Sequence, residues 1–185
     1  LQTKYSNLCQ IHKFFQKRRE EEELALRFFA FAETYKDNFM FTDSAGNKTS
    51  KHHLGTDEFL TSFYDYQNQR LATIKQKNQL KFNQEIDRMR TNFAEMLDFV
   101  DVKFPYGFKR EKSKSVARVV FEAISVGVYL ALKESPQLKD VRVDTSWVRK
   151  DRRFVSSITQ KYGLHDTGKI KERIELVKKN ILASS

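Results

Sequence analysis

The sequence predicts an all-α fold, a single irregular bundle of about six or seven helices. Glycine and proline are scarce, six and two in 185 residues, which leaves few turns and favours long helices. Apolar residues recur at three- and four-residue spacing along most long segments. The one stretch that alternates like a strand, VRVDT at 141–145, is too short and isolated to build a sheet.

In chain order, Asn7 to Phe15 carries a short helical pattern with Leu8, Ile11, His12 and Phe15 on one side. The next helix begins near Lys17 and runs to about Tyr35, its acidic opening Glu20–Glu23 matching the positive end of the helix dipole. A long polar loop follows, DNFMFTDSAGNKTSKHHLGT, with turn residues at Ser44-Ala45-Gly46-Asn47. Thr56 or Asp57 caps a helix bearing Phe59, Leu60, Phe63 and Tyr66. The polar but periodic segment 68–100 reads as one long amphipathic helix, with Ile86, Met89, Phe93, Met96, Leu97 and Val100 in a stripe.

Pro105 and Gly107 end that element in the cationic loop KFPYGFKREKSKS. A buried helix follows from about Ser115 to Glu134 and stops before Ser135-Pro136. Two helices complete the chain. One starts near Thr145 or Ser146, shows Trp147, Phe154, Val155, Ile158 and Tyr162 on one face, and ends at Gly163. The other starts near Thr167 and shows Ile170, Ile174, Val177 and Ile181. Neither an internal repeat nor a splitting linker is visible, so residues 1–185 form one helical domain of ordinary size.

Charge and cysteine usage narrow the setting. A formal net charge of +10 allows contact with nucleic acid or another anionic partner, though many soluble domains are as basic without binding DNA. The lone Cys9 excludes an intramolecular disulfide and fits a reducing cytoplasm. The most apolar run, VARVVFEAISVGVYLAL, is interrupted by Arg118 and Glu122, so it is a buried helix and not a membrane span.

Catalytic and cofactor signatures are missing from the sequence. The four histidines, His12, His52, His53 and His165, and Cys9 do not fall at metal-ligand spacings, so no metal is expected. Gly46, Gly55, Gly107 and Gly163 are isolated, with no phosphate-binding glycine loop. No nucleophile elbow is present. The chain by itself is therefore read as non-catalytic and without cofactor.

Two basic clusters are the positive signal. Lys109, Arg110, Lys112, Lys114 and Arg118 follow Phe104, Tyr106 and Phe108, a pattern able to join phosphate contact to base stacking. Arg149, Lys150, Arg152 and Arg153 form the second, on the Trp147 helix. The candidate DNA-binding residues are Lys109, Arg110, Lys112, Lys114, Arg149, Arg152 and Arg153. They make an interface only if the fold brings both clusters to one surface.

Arg27 stands inside the apolar block of RREEEELALRFFAFA. Taking Leu24 as zero and about 100° per residue, Phe28, Phe31 and Tyr35 lie within about 40° of it and Arg27 at about −60°. An arginine flanking a buried stripe needs carboxylate partners. Glu23 one turn earlier and Glu122 in VVFEAI are the two candidates, with Arg118 competing for Glu122. Glu23, Arg27 and Glu122 are thus a candidate structural polar cluster.

The segments RREEEELALRFFAF, VARVVFEAISVGV and RRFVSSITQKYG…IKERIELVKKNI together resemble the helical C-terminal region of the GmrSD-type restriction-endonuclease N-terminal domain family. The matching positions are Glu23, Leu24, Leu26, Arg27 and Phe28; then Phe121, Glu122, Ala123 and Ile124; then Phe154, Ile158, Thr159, Arg173 and Ile174. In that family a ParB/sulfiredoxin-like domain with a DGQQR-like motif precedes the helical region, and some relatives carry an HNH-like nuclease further on. This chain has no DGQ triplet and no HNH-like arrangement, so the resemblance carries no catalytic residue onto it. The start at Leu1 without methionine agrees with a C-terminal fragment. The resemblance implies bacterial restriction or anti-phage defence, with a ParB-like domain in cis and DNA as partners, and self-association as a third option. Two rivals stand beside it: a stand-alone nucleic-acid-binding module, and an enzyme with a dispersed site around Arg27.

Overall fold

A computed structural model describes residues 1–10, 19–43, 45–110, 113–159 and 163–184. These form eight α-helices and one two-stranded sheet, a helical bundle as the sequence predicts. Ile11, His12, Phe15, Lys17, Ser44, Lys112 and Tyr162 lie outside the described residues.

Helix α1 (Gln2–Leu8) buries Tyr5 and Leu8. Helix α2 (Glu20–Thr34) opens on four glutamates and buries Leu24, Arg27, Phe28, Ala30 and Phe31. After a 3₁₀ turn (Tyr35–Asp37), Asn38 and Phe39 take positive φ and swing the chain into strand β1 (Met40–Thr42). That strand pairs antiparallel with β2 (Lys48–Ser50), Phe41 opposite Thr49.

The hairpin corrects the expectation of an unbroken loop. Asp43 drives it, its Oδ1 accepting the Ala45 and Asn47 amides at 3.0 and 2.7 Å. Phe41 anchors it, with ring centroids 5.0 Å from Tyr66 and 5.8 Å from Phe63. Three-residue strands are too short for alternation to register in a sequence.

The long helix expected over 68–100 is divided. Helix α3 (Thr56–Lys77) and helix α4 (Gln79–Lys103) meet at Asn78, which is extended at φ −160°. Asn78 closes both ends: its amide donates to Ile74 O at 2.8 Å and its Oδ1 accepts the Lys81 amide at 2.9 Å. The chain doubles back there, so that Glu85 of α4 bonds Arg70 of α3.

Helix α5 (Arg118–Glu134) is the axis of the bundle and packs against α2, α4 and α8. Twelve of its 17 residues are buried, among them Glu122. It begins at Arg118, not near Ser115, because Val116 pairs with Lys109 as an isolated bridge and Ala117 stays extended. Gly127 lets α8 come close: a Cβ there would lie 2.6 Å from Val177 Cβ.

A 3₁₀ turn (Pro136–Lys139) ends α5. The helix expected from about Thr145 or Ser146 to Gly163 is also divided, into α6 (Trp147–Lys150) and α7 (Arg152–Thr159). Asp151 breaks it, its Oδ1 accepting the Arg153 and Phe154 amides at 2.8 and 3.3 Å. Helix α8 (Thr167–Ala183) closes the bundle with Ile170, Ile174, Val177 and Ile181 inward. One contiguous apolar cluster joins all these elements. No helix of the described residues is long and apolar enough to cross a membrane.

Candidate nucleic-acid interface

Between α4 and α5 the chain makes a tight turn whose two ends are nailed into the core. Phe104 and Phe108 are buried at 4% and 0% exposure, while Tyr106 between them is 37% exposed. Pro105 presets its φ, and Gly107 takes the left-handed conformation at φ +54° with its amide donating to Phe104 O at 2.9 Å. Phe104 and Phe108 are therefore core residues and offer no surface for stacking; the turn presents Tyr106 alone.

The segment 141–146 lies alongside the C-terminal end of α4, clasped from both directions. Lys103 Nζ donates to Val141 O at 2.8 Å, and Thr145 Oγ1 donates to Lys103 O at 2.7 Å. The VRVDT alternation is real although no strand forms: Val143 and Thr145 are buried, Arg142 and Asp144 exposed. Asp144 accepts the Ser146 amide at 2.8 Å and its hydroxyl at 3.0 Å, bonds that hold its carboxyl below the usual range and keep it charged.

Between the turn and this segment opens a cleft of about 260 Å³. Among the described residues, Lys103, Lys109, Arg142 and Arg149 line it against a single carboxylate, Asp144, with Tyr106, Pro105 and Val148 as apolar wall. The Arg149 guanidinium stands over the Tyr106 ring at 5.4 Å. Lys109 and Arg149, one from each basic cluster of the sequence, thus share one concavity.

The remaining candidates scatter around it. Arg110 is exposed and its guanidinium donates to Ile158 O, tying the loop to the end of α7. Lys114, Arg152 and Arg153 are exposed but do not line the cleft, and Lys112 lies outside the described residues. Arg118 leaves the basic group altogether. It grips Glu20 with Nε at 2.5 Å and Nη2 at 2.7 Å, and also reaches Glu23 at 3.0 Å.

Arg27 is 1% exposed. Its Nε and Nη2 donate to Glu23 Oε1 at 2.8 and 2.6 Å, and its Nη1 donates to Glu122 Oε1. Arg118 does not compete for Glu122; Arg173 takes that place, with Nη2 4.0 Å from Glu122 Oε2, too long for a hydrogen bond. Arg173 instead donates to Leu164 O at 2.6 Å. Lys51, also buried, donates to His165 O at 3.0 Å. Burial lowers the proton affinity of both Arg173 and Lys51, and Glu122 works against that loss in each. The cluster crosslinks α2, α5, the β-hairpin and the loop before α8.

Among the described residues no group of three or more His, Cys, Asp or Glu is placed to hold a metal ion. Cys9 is fully buried, and burial raises its thiol above the ordinary range. Sequence reasoning missed Lys103, Arg142 and Arg173. Arg173 carried a usable signal: counted from Ile170 it falls at about −60°, with Ile174 and Val177 around it, the same offset Arg27 shows from Leu24. No family model matches this chain, and no curated protein or solved structure is significantly similar to it.

Proposed function

We propose that this chain is a helical module that binds nucleic acid through the cationic face built from segments 104–110, 113–117 and 141–146 and helices α6 and α7. It serves as the support domain of a GmrSD-like restriction or anti-phage protein in the bacterial cytoplasm. The observation that carries the binding role is the cleft in which Lys109 and Arg149 meet, with Lys103 and Arg142 beside them and, among the described residues, one acid in its lining. Excess cationic charge concentrated on one concave face is the electrostatic footprint of a phosphate-backbone contact. The supporting role rests on the resemblance of the Arg27, Glu122 and Arg173 segments to that family. In that setting the helical body buttresses a ParB-like domain.

The test is equilibrium binding of labelled DNA at several salt concentrations. Affinity is expected to fall steeply as salt rises, and Arg152→Glu and Arg149→Glu to weaken it and lower the slope by about 1 per lost phosphate contact. Absence of binding even at low salt would overturn the proposal.

A further inference from the structure

We propose that the cleft beside Tyr106 takes one unpaired nucleotide of a nucleic-acid strand, its base stacked on the Tyr106–Arg149 pair and its phosphate held by Arg142 and Lys109. This rests on the nucleic-acid reading of the cationic face and specifies which form of nucleic acid the face prefers.

The geometry of the turn carries the argument. A backbone-phosphate surface needs cations only, and it has no use for an aromatic ring held outward on a rigid mount. Here Phe104 and Phe108 pin both ends of the turn in the core, and Tyr106 between them stays 37% exposed. Its ring is paired with the Arg149 guanidinium at 5.4 Å. Aromatic rings such as tyrosine and arginine guanidinium planes are protein surfaces on which unstacked bases settle. A base inside a duplex shows neither of its faces and cannot use them.

Size and polarity agree. A volume of about 260 Å³ sits just below the roughly 300–1,000 Å³ of sites for drug-sized ligands, room for a single nucleotide and far too little for a double helix. The Tyr106 turn also walls a second cleft, of about 240 Å³, which Asp101 lines together with Lys109, whose Nζ donates to Gln10 Oε1 at 2.9 Å. The side with Arg142 and Arg149 is therefore the one suited to phosphate, and the ring stands as a partition past which a strand would run.

The experiment compares a single-stranded oligonucleotide of mixed sequence with the duplex of the same sequence, using the intact chain, Tyr106→Leu, Tyr106→Phe and Arg142→Glu. The single strand is expected to bind more tightly than the duplex. Tyr106→Leu should lose about tenfold on the single strand and leave the duplex unchanged, while Tyr106→Phe keeps the ring and the preference. Arg142→Glu should weaken both. Free deoxythymidine monophosphate should compete poorly, because it lacks the neighbouring phosphates; competition at concentrations matching the oligonucleotide would overturn the assignment to a strand. Equal affinity for both forms, or a Tyr106→Leu effect that is the same on both, would sink the inference and leave the interface standing. Failure of both forms to bind at low salt would remove the interface reading itself.

Discussion

Arg27 and Glu122 form an ion pair in which each side chain is 1% exposed, between residues 95 positions apart in the chain. Charges so deeply placed are tolerated only as a set, because removing one leaves its partner without water or counter-charge. Glu23 completes the Arg27 fork, and Arg173 faces the second oxygen of Glu122.

Arg27→Ala is accordingly expected to cost about 3–5 kcal/mol of folding stability. Urea unfolding followed by circular dichroism measures it. The double variant Arg27→Leu/Glu122→Leu should be less destabilised than the two single losses added together, since no charge is then orphaned on that side. An unchanged unfolding midpoint in Arg27→Ala would show that the pair contributes nothing to stability.

Gly127 provides a test with an unusual sign. In an exposed helix, glycine to alanine stabilises by up to about 1 kcal/mol. Here the added Cβ would meet Val177 Cβ and Cγ1 at 2.6 Å and Ile174 O at 3.0 Å. Gly127→Ala should therefore destabilise by about 1–3 kcal/mol. Val177→Ala removes the Cγ1 contact but keeps the Cβ, so the double variant should be less destabilised than the two single losses added together, read from the same melting curves.

The α3–α4 hairpin should loosen in acid. Glu85 accepts Arg88 Nε at 2.8 Å and also bonds Arg70, and these partners hold its carboxyl below the ordinary value of 4.5. A depressed carboxyl binds fewer protons folded than unfolded, so its stabilisation is present above the ordinary value and disappears as pH falls through the lowered one. Glu85→Gln should lower the melting temperature near neutral pH by an amount worth about 1 kcal/mol or less. The gap between variant and parent should then close as the titration moves into acid. A gap that is constant across that range would mean the ion pairs play no part.

The sequence made the helices and their inward faces legible because one periodicity governs both: Phe59 and Phe63, or Ile170 and Ile174, mark the core directly. It did not show the interruptions at Asn78 and Asp151. Apolar spacing continues on both sides of each, and only the side-chain oxygen capturing the next turn's amides divides them. Phe104 and Phe108 read as available aromatics because a loop sequence carries no periodicity to say which residues point inward. Arg142 was hidden for a different reason. Its alternation with Val143 is visible, but the Lys103–Val141 and Thr145–Lys103 bonds that bring its segment against α4, at the cleft it shares with Arg149, span distant parts of the chain.

Placing one carboxylate between an arginine near the front of the chain and another near its end has a consequence for biosynthesis. Helix α5 leaves the ribosome before α8, so Arg27 and Glu122 are both available for pairing before Arg173 is. Gly127 keeps an open seat for Val177 over the same interval. Without α8 the buried Glu122 Oε2 lacks its facing Arg173 charge and the groove at Gly127 lacks Val177, so the bundle is complete only once that helix has docked.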